Sequence, residues 1–113
     1  MILSPSCRTE DNLCHELKTE YKEVVECGIK KFSEWDVRLA IKVEDSTTIY
    51  RKKEIGEAFI RKAFAYYEGK KPGGRIIGTG DFDYMVMIAY PEEEYASLLG
   101  IKLYKDDSIF WSE

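Results

Sequence analysis

FDYMVMIAY, residues 82–90, is a run of apolar and aromatic side chains interrupted by one charged residue, Asp83. Successive side chains of a β-strand point to opposite sides, so the even-numbered and odd-numbered residues of this run form two faces. Both faces are largely apolar, and a strand of that composition is typically covered on both sides. The run therefore predicts a central strand of a sheet.

A second strand is predicted upstream, at residues 35–43, WDVRLAIKV. Its odd-numbered positions are apolar, and the positions between them are charged or small, which is typical of a strand with one covered face. Turn residues follow at 44–46, and TTIYR at 47–51 has the β-branched and aromatic composition of a hairpin partner. The remaining strands are expected at residues 75–79, 101–105 and 109–111.

Three helices are predicted from apolar residues that recur at spacings of three and four. The first begins after the N-cap Thr9, continues through Val25 and ends at Gly28. The second covers residues 54–68 and carries an apolar stripe that we expect to face the core. The third is a short helix that begins at Pro91, where acidic residues of the first turn suit the helix dipole.

The predicted order of elements is α-β-β-α-β-β-α-β-β in a single α+β domain, residues 1–113. The length of 113 residues and the 44% hydrophobic content suit one globular core. We expect an antiparallel sheet with the helices on one face. Two β-β-α units after the N-terminal helix make a ferredoxin-like packing the expected arrangement.

The cysteines and the N-terminal residues favour a reducing, cytoplasmic location. The three cysteines are an odd number, and residues 1–11 show neither a basic start nor the apolar core of a secretory signal. No apolar run approaches the roughly 20 residues of a membrane helix, so no membrane association is expected. We therefore predict free thiols, with Cys14 as a small core residue. Because C-x2-C spacing is absent, we expect no metal site.

Charge is distributed unevenly along a chain whose net charge is −4. Residues 35–75 contain ten bases and six acids, whereas residues 76–113 contain eight acids and two bases. This distribution has two interpretations. The charged residues of the two blocks are solvated or neutralise each other in the fold, or the acidic block binds a basic protein partner. The overall acidity disfavours nucleic acid. The acidic surface expected to bind the partner comprises Glu92, Glu93, Glu94, Asp106 and Asp107.

GGRIIGTGDFD, residues 73–83, is the segment with the composition of a ligand site. Glycines allow the backbone to approach a ligand closely, and two aspartates on one strand face, about 7 Å apart, suit Mg²⁺. The alternative is a tight turn closed by glycine and aspartate. The candidate ligand-binding residues are Gly78, Gly80, Asp81 and Asp83.

Complete catalytic motifs are absent from the sequence. There is no Gly-Lys-Ser/Thr of a P-loop and no Gly-x-Ser-x-Gly elbow. The Gly-x-Gly at residues 78–80 is followed by a predicted strand and not by the helix of a dinucleotide site. We therefore expect no catalytic residues and no cofactor.

The same segment resembles the signature of the nucleotidyltransferase superfamily, in which a glycine pair precedes an Asp-hydrophobic-Asp strand. That resemblance implies that Gly73 and Gly74 hold a nucleotide phosphate and that Asp81 and Asp83 hold Mg²⁺. GTGDFDYMVMI followed by PEEEYASLL is also similar to the RAM domain of Lrp/AsnC regulators. This second resemblance implies a ferredoxin-like, dimeric module that binds a small ligand near residues 78–83.

The leading interpretation is a small acidic cytoplasmic protein that binds or regulates a partner through a protein surface. An inhibitor, an immunity or antitoxin protein, or a virus-encoded accessory factor would act in this way. The first alternative is a RAM-like ligand-binding homodimer. The second is a minimal Mg²⁺-dependent nucleotidyltransferase-like enzyme.

Overall fold

The computed structural model describes residues 10–33, 36–69, 83–102 and 108–113. These residues form two helices and five strands, which confirms the α+β class. The elements in chain order are α1 (Glu10–Glu20), β1 (Val24–Ser33), β2 (Asp36–Val43), α2 (Ile49–Gly69), β3 (Asp83–Ala89), β4 (Leu98–Lys102) and β5 (Phe110–Trp111).

The strands form one sheet in the order β1-β2-β3-β4-β5, so the run at residues 82–90 does supply the central strand. Neighbouring strands are antiparallel except β2 and β3, which are parallel. The sheet is therefore mixed and not wholly antiparallel as predicted. A parallel pair needs a long crossover connection, and the connection that contains α2 supplies it.

Both helices pack on the same face of the sheet, as expected. Helix α2 contacts β2, β3 and β4, while α1 contacts β1 and α2. The core between the helices and the sheet contains the apolar positions of β2 and β3 predicted from their alternation. Its fully buried side chains include Leu13, Leu17, Val37, Leu39, Ile55, Phe59, Ile60, Tyr84, Val86, Ile88 and Leu98.

The predicted extension of the first helix to Val25 and Gly28 is wrong. Helix α1 ends at Glu20, and residues 24–33 form β1, which pairs with β2 along its length. β-branched residues such as Val24 and Val25 suit a strand. Pairing with β2, in which apolar and polar residues alternate, outweighed the helical spacing of the apolar residues at 13–25. Gly28 therefore lies inside a strand and does not end a helix.

Helix α2 starts earlier than predicted, and the expected hairpin at residues 47–51 is wrong. The backbone N–H of Arg51 donates to the Thr48 hydroxyl at 3.2 Å, so Thr48 caps the helix that begins at Ile49. The capping threonine therefore explains why a β-branched, aromatic stretch opens a helix.

The third predicted helix is also wrong, because residues 91–97 form turns and bends. The second β-β-α unit, and with it the ferredoxin-like arrangement, is not formed by the described residues. The strand expected at residues 101–105 begins earlier, at Leu98, and ends at Lys102. The strand expected at residues 75–79 lies outside the described residues.

A disulfide joins Cys14 of α1 to Cys27 of β1, with the Cα atoms 5.6 Å apart. It corrects the prediction of free thiols and does not fit the expected reducing cytoplasm, where thiols are kept reduced. The sequence analysis missed the pair because it placed both cysteines on one helix. Cys7 lies outside the described residues.

None of the described helices is both long enough and apolar enough to cross a membrane.

Candidate functional site

The face of the sheet opposite the helices carries no helix among the described residues, and we call it the open face. Gly28, Ala40, Met87 and Leu99 lie in register across β1, β2, β3 and β4 on this face. Parallel to this row, Met85 and Ile101 are partly exposed, and Phe110 is 53% exposed. The open face therefore presents an apolar band across the sheet.

A groove of about 440 Å³ lies on the open face beside the turn at residues 91–97. Its floor is formed by small or flexible side chains of three strands, and one wall is formed by the turn. The lining residues are Glu26, Cys27, Gly28, Ala40, Ile41, Lys42, Met87, Ala89, Glu93, Glu94, Tyr95 and Ala96. A volume of this size is within the range of about 300–1,000 Å³ found for ligand pockets.

Gly28 and Ala40 create the depth of the groove. A Cβ atom added at Gly28 would have no heavy atom within 4 Å, so the space above this residue is open. Ala40 is exposed although it lies in the second strand of five. Larger side chains at these two positions would fill the groove from below.

The turn that forms the wall is held by backbone hydrogen bonds and by the Glu93 carboxylate. The N–H of Tyr90 donates to Glu93 Oε1 at 2.7 Å, and the N–H of Glu93 donates to the Tyr90 carbonyl at 3.0 Å. The Tyr90 N–H holds the pKa of Glu93 below its ordinary value, and Ser97 and Lys52 add to this effect. Glu93 thus stays ionised while it stabilises the turn.

The turn is also attached to the start of α2 and to β2. Lys52 is buried, and its Nζ lies 3.4 Å from the Ser97 hydroxyl and 4.3 Å from the centre of the Tyr90 ring. The Tyr90 hydroxyl donates to the Thr47 carbonyl at 2.9 Å, and Lys42 Nζ donates to the Pro91 carbonyl at 3.3 Å. The wall of the groove is therefore positioned by the folded core.

The groove contains two of the five residues that are predicted to form an acidic partner-binding surface. Glu93 and Glu94 line it, and Glu26 of β1 adds a carboxylate that the sequence analysis did not include. Glu92 and Glu94 are exposed, whereas Glu93 is partly buried. Asp106 and Asp107 lie outside the described residues.

Most of the predicted ligand-binding residues lie outside the part of the chain that the structure describes. Gly78, Gly80 and Asp81 lie outside the described residues. Asp83 is the first residue of β3, where its backbone pairs with that of Asp36. The RAM-like and nucleotidyltransferase-like interpretations depend on this segment, so both remain predictions.

Several described cations of the basic block form ion pairs with acidic side chains, among them Lys42, Arg51, Arg61 and Lys62. Arg51 forms an ion pair with Glu23, at 2.5 Å, and Lys62 lies 3.4 Å from Glu16 and also contacts Glu20. The hydrogen bond from Arg51 lowers the pKa of Glu23 from its ordinary value. Two bases of α2 thus meet acids at the N-terminal end of the chain, namely Glu16 and Glu20 of α1 and Glu23 beside it.

The side chains at the groove are chemically mixed. They offer carboxylates, one ammonium group, one phenol and an apolar floor. Within residues 10–33, 36–69, 83–102 and 108–113, no group of three His, Cys, Asp or Glu side chains is placed to hold a metal ion.

No family model, curated protein or solved structure compared with the chain matches it.

The sequence analysis missed the floor of the groove because it took both faces of residues 82–90 to be covered. Met85 and Met87 are partly exposed, and no described helix packs over them. The sequence feature that could have pointed to the groove is the presence of Ala40 and these methionines on one face. An exposed apolar patch of this kind commonly marks an interaction site.

Proposed function

We propose that the chain is a non-enzymatic binding protein that recognises a basic protein partner through the groove on the open face. The observation that carries this proposal is the composition of the groove. Its floor is apolar and small, while Glu26, Glu93 and Glu94 place three carboxylates around it.

The floor accounts for where an apolar side chain of the partner would insert. Protein interfaces obtain most of their binding energy from a few side chains that fill well-packed pockets. The open space above Gly28 and the polarisable Met87 side chain fit a leucine, methionine or aromatic residue of the partner. Tyr95, which is 78% exposed, can cover the inserted group from the wall.

The carboxylates at the groove are the reason that we assign a positive charge to the partner. Glu94 is exposed and Glu26 lies 3.8 Å from Lys42 Nζ, so Glu94 is the stronger candidate for a lysine or arginine of the partner. Glu92 lies next to the groove in the same turn and adds to the negative potential. Such charges mainly raise the association rate and select against acidic competitors.

This activity suits the classes of protein expected from the sequence, namely an inhibitor, an immunity or antitoxin protein, or an accessory factor. Each of these acts by occupying a surface of another protein, and a basic surface is the chemical complement of this groove. The ion pairs of Arg51 and Lys62 favour a protein partner further, since they neutralise cations that nucleic acid would require.

The test is a synthetic peptide array in which a single Leu, Met, Phe or Trp is flanked by Lys and Arg or by Glu and Asp. We expect the wild-type chain to bind the basic peptides. Gly28→Val should abolish binding because the new side chain fills the groove. Glu94→Lys should weaken binding about tenfold, and more strongly at low salt than at high salt.

Glu57→Lys is the matched control, because it changes the charge equally on α2, behind the sheet. It should leave peptide binding unchanged. Equal binding of acidic and basic peptides would contradict the assigned partner charge. Retained binding by a folded Gly28→Val variant would show that the groove is not the binding site.

A further inference from the structure

We infer that the chain forms a homodimer in which the β1 strands of two copies pair antiparallel, centred on Gly28. This inference does not depend on the proposed function. It rests on the position of β1 in the sheet, on its regular central segment and on the arrangement of charges along it.

β1 is the first strand of the sheet, and no described strand pairs with its outer edge. It is ten residues long, whereas the strand at the opposite edge, β5, has two. An edge strand directs the backbone N–H and C=O groups of alternate residues outward, where they can pair with a further strand. A long edge such as β1 offers enough of these groups for a specific interface.

The central part of β1 is regular. Its pairing with β2 shifts register between Val24 and Glu26 and again between Lys31 and Ser33. Residues 26–31 lie between these two irregularities and pair with β2 without interruption. They provide a regularly paired segment against which a second copy can align.

The charges on this segment are complementary to themselves. Glu26, Gly28 and Lys30 alternate along the strand and therefore share the open face. In an antiparallel pair centred on Gly28, Glu26 lies opposite the partner subunit's Lys30, and Lys30 lies opposite the partner subunit's Glu26. Both symmetry-related pairs join opposite charges, which stabilises cross-strand neighbours.

Other registers lose this complementarity. Sliding one strand by two residues moves the centre of the pair from Gly28 to Ile29. In that register Lys30 lies opposite the partner subunit's Gly28, and no charge lies opposite Glu26. A shift toward Cys27 places Glu26 opposite glycine in the same way. Lysine on an edge strand usually prevents pairing, but here the favoured register gives it an acidic neighbour.

The dimer would join the two open faces into one surface, because the residues of both β1 strands that point to this face lie on the same side. On the face toward the helices, the partly buried Cys27 would lie opposite the partner subunit's Ile29. Each groove would then be bordered by the second copy along β1.

The first test measures the oligomeric state of the full-length chain by sedimentation velocity over a range of concentrations. We expect the wild type to be a dimer. Lys30→Glu and Glu26→Lys should each raise the dimer dissociation constant about tenfold or more, and the double variant should recover the wild-type affinity. Lys18→Glu, which makes the same charge change on α1, should dimerise as the wild type does.

Circular dichroism of each variant separates loss of dimerisation from loss of fold. A wild-type chain that is monomeric at its highest soluble concentration would overturn the inference. An unchanged dimer in Lys30→Glu would overturn it too, because the interface would then lie elsewhere.

The second test fixes the register. Opposed residues of an antiparallel pair have Cα atoms about 4.5–5.5 Å apart, within the range that a disulfide spans. In a Cys7→Ser background, Gly28→Cys should form a covalent dimer on mild oxidation. Glu26→Cys should not, since its equivalents would be about 13 Å apart. The reverse result would overturn the proposed register.

Discussion

The two faces of the sheet are built from the same strands but have different side chains and different exposure. On the face toward the helices, alternate residues of β2 and β3, such as Leu39 and Val86, are fully buried. On the open face, their neighbours Ala40 and Met87 remain accessible. One set of alternate positions therefore builds the core, while the other stays accessible within the part of the chain that the structure describes.

Two glycines show the same difference at atomic scale. A Cβ atom added at Gly100 would overlap the Trp111 ring, whereas a Cβ atom at Gly28 would meet nothing within 4 Å. Gly100 is required because an aromatic ring packs against its backbone. Gly28 has no such steric requirement, because the space above it is open.

The largest effect is expected from truncation of an aromatic side chain on the covered face. Phe59 of α2 is fully buried, so Phe59→Ala should lower the free energy of unfolding by about 3–5 kcal/mol. Urea denaturation followed by circular dichroism measures this change. Met87→Ala on the open face is the comparison, and we expect it to cost less than about 1.5 kcal/mol. Similar costs for the two variants would contradict the assignment of the faces.

The disulfide is expected to have the next largest effect. Cys14 and Cys27 are 13 residues apart, and closing a loop of this size stabilises a folded chain by about 3 kcal/mol. Replacing both cysteines by alanine should therefore lower the urea midpoint markedly. A reducing agent should lower the wild-type midpoint to a similar value and leave the double variant unchanged. A midpoint insensitive to reduction would show that the bond does not stabilise the fold.

Substitution by alanine should change the free energy of unfolding in opposite directions at Gly100 and at Gly28. Gly100→Ala forces the Trp111 ring to move and should cost about 1–3 kcal/mol. Gly28→Ala should be neutral or stabilise the chain by up to about 1 kcal/mol, because alanine restricts the unfolded chain more than glycine does. Thermal unfolding of both variants measures the difference. Destabilisation by Gly28→Ala would indicate that the open face is more closely packed than the structure shows.

The sequence was most informative where alternation of apolar residues was strict. Residues 35–43 and 82–90 alternate cleanly, and both strands were predicted at nearly their observed positions. Their pairing direction was not predictable from this pattern, because alternation reports only which face is buried. The parallel arrangement of β2 and β3 depends on the path of α2 across the sheet.

The errors occurred where local patterns and pairing partners disagree. Residues 24–28 fit a helical spacing, but β2 offered a partner that only a strand can use. The turn at residues 91–97 has a helix-like start, Pro91 followed by three glutamates, yet Glu93 uses its carboxylate to hold Tyr90 in a turn. Two of these glutamates, Glu93 and Glu94, line the groove, but its floor needs Gly28 and Ala40 from distant strands.

The smallest expected effect concerns the turn that forms the wall of the groove. The pKa of Glu93 in the folded chain lies below its ordinary value of 4.5, mainly because the carboxylate accepts the Tyr90 N–H. The ionised carboxylate therefore stabilises the turn at pH values above 4.5, and this contribution is lost as the pH falls through the lowered pKa. The overall fold should change little over this range, since the turn is exposed.

The Tyr90 amide resonance reports this loss directly in an NMR pH titration. We expect its shift to move with a midpoint below 4.5, and to become independent of this carboxyl in Glu93→Gln. Because the turn forms one wall of the groove, binding of the basic peptides should weaken over the same pH interval. Titration of the Tyr90 amide at or above 4.5 would contradict the hydrogen bond between Tyr90 and Glu93. The wall would then be held by its backbone hydrogen bonds and by its contacts with Lys42, Thr47 and Lys52, and Glu93 would be as available to a partner as Glu94.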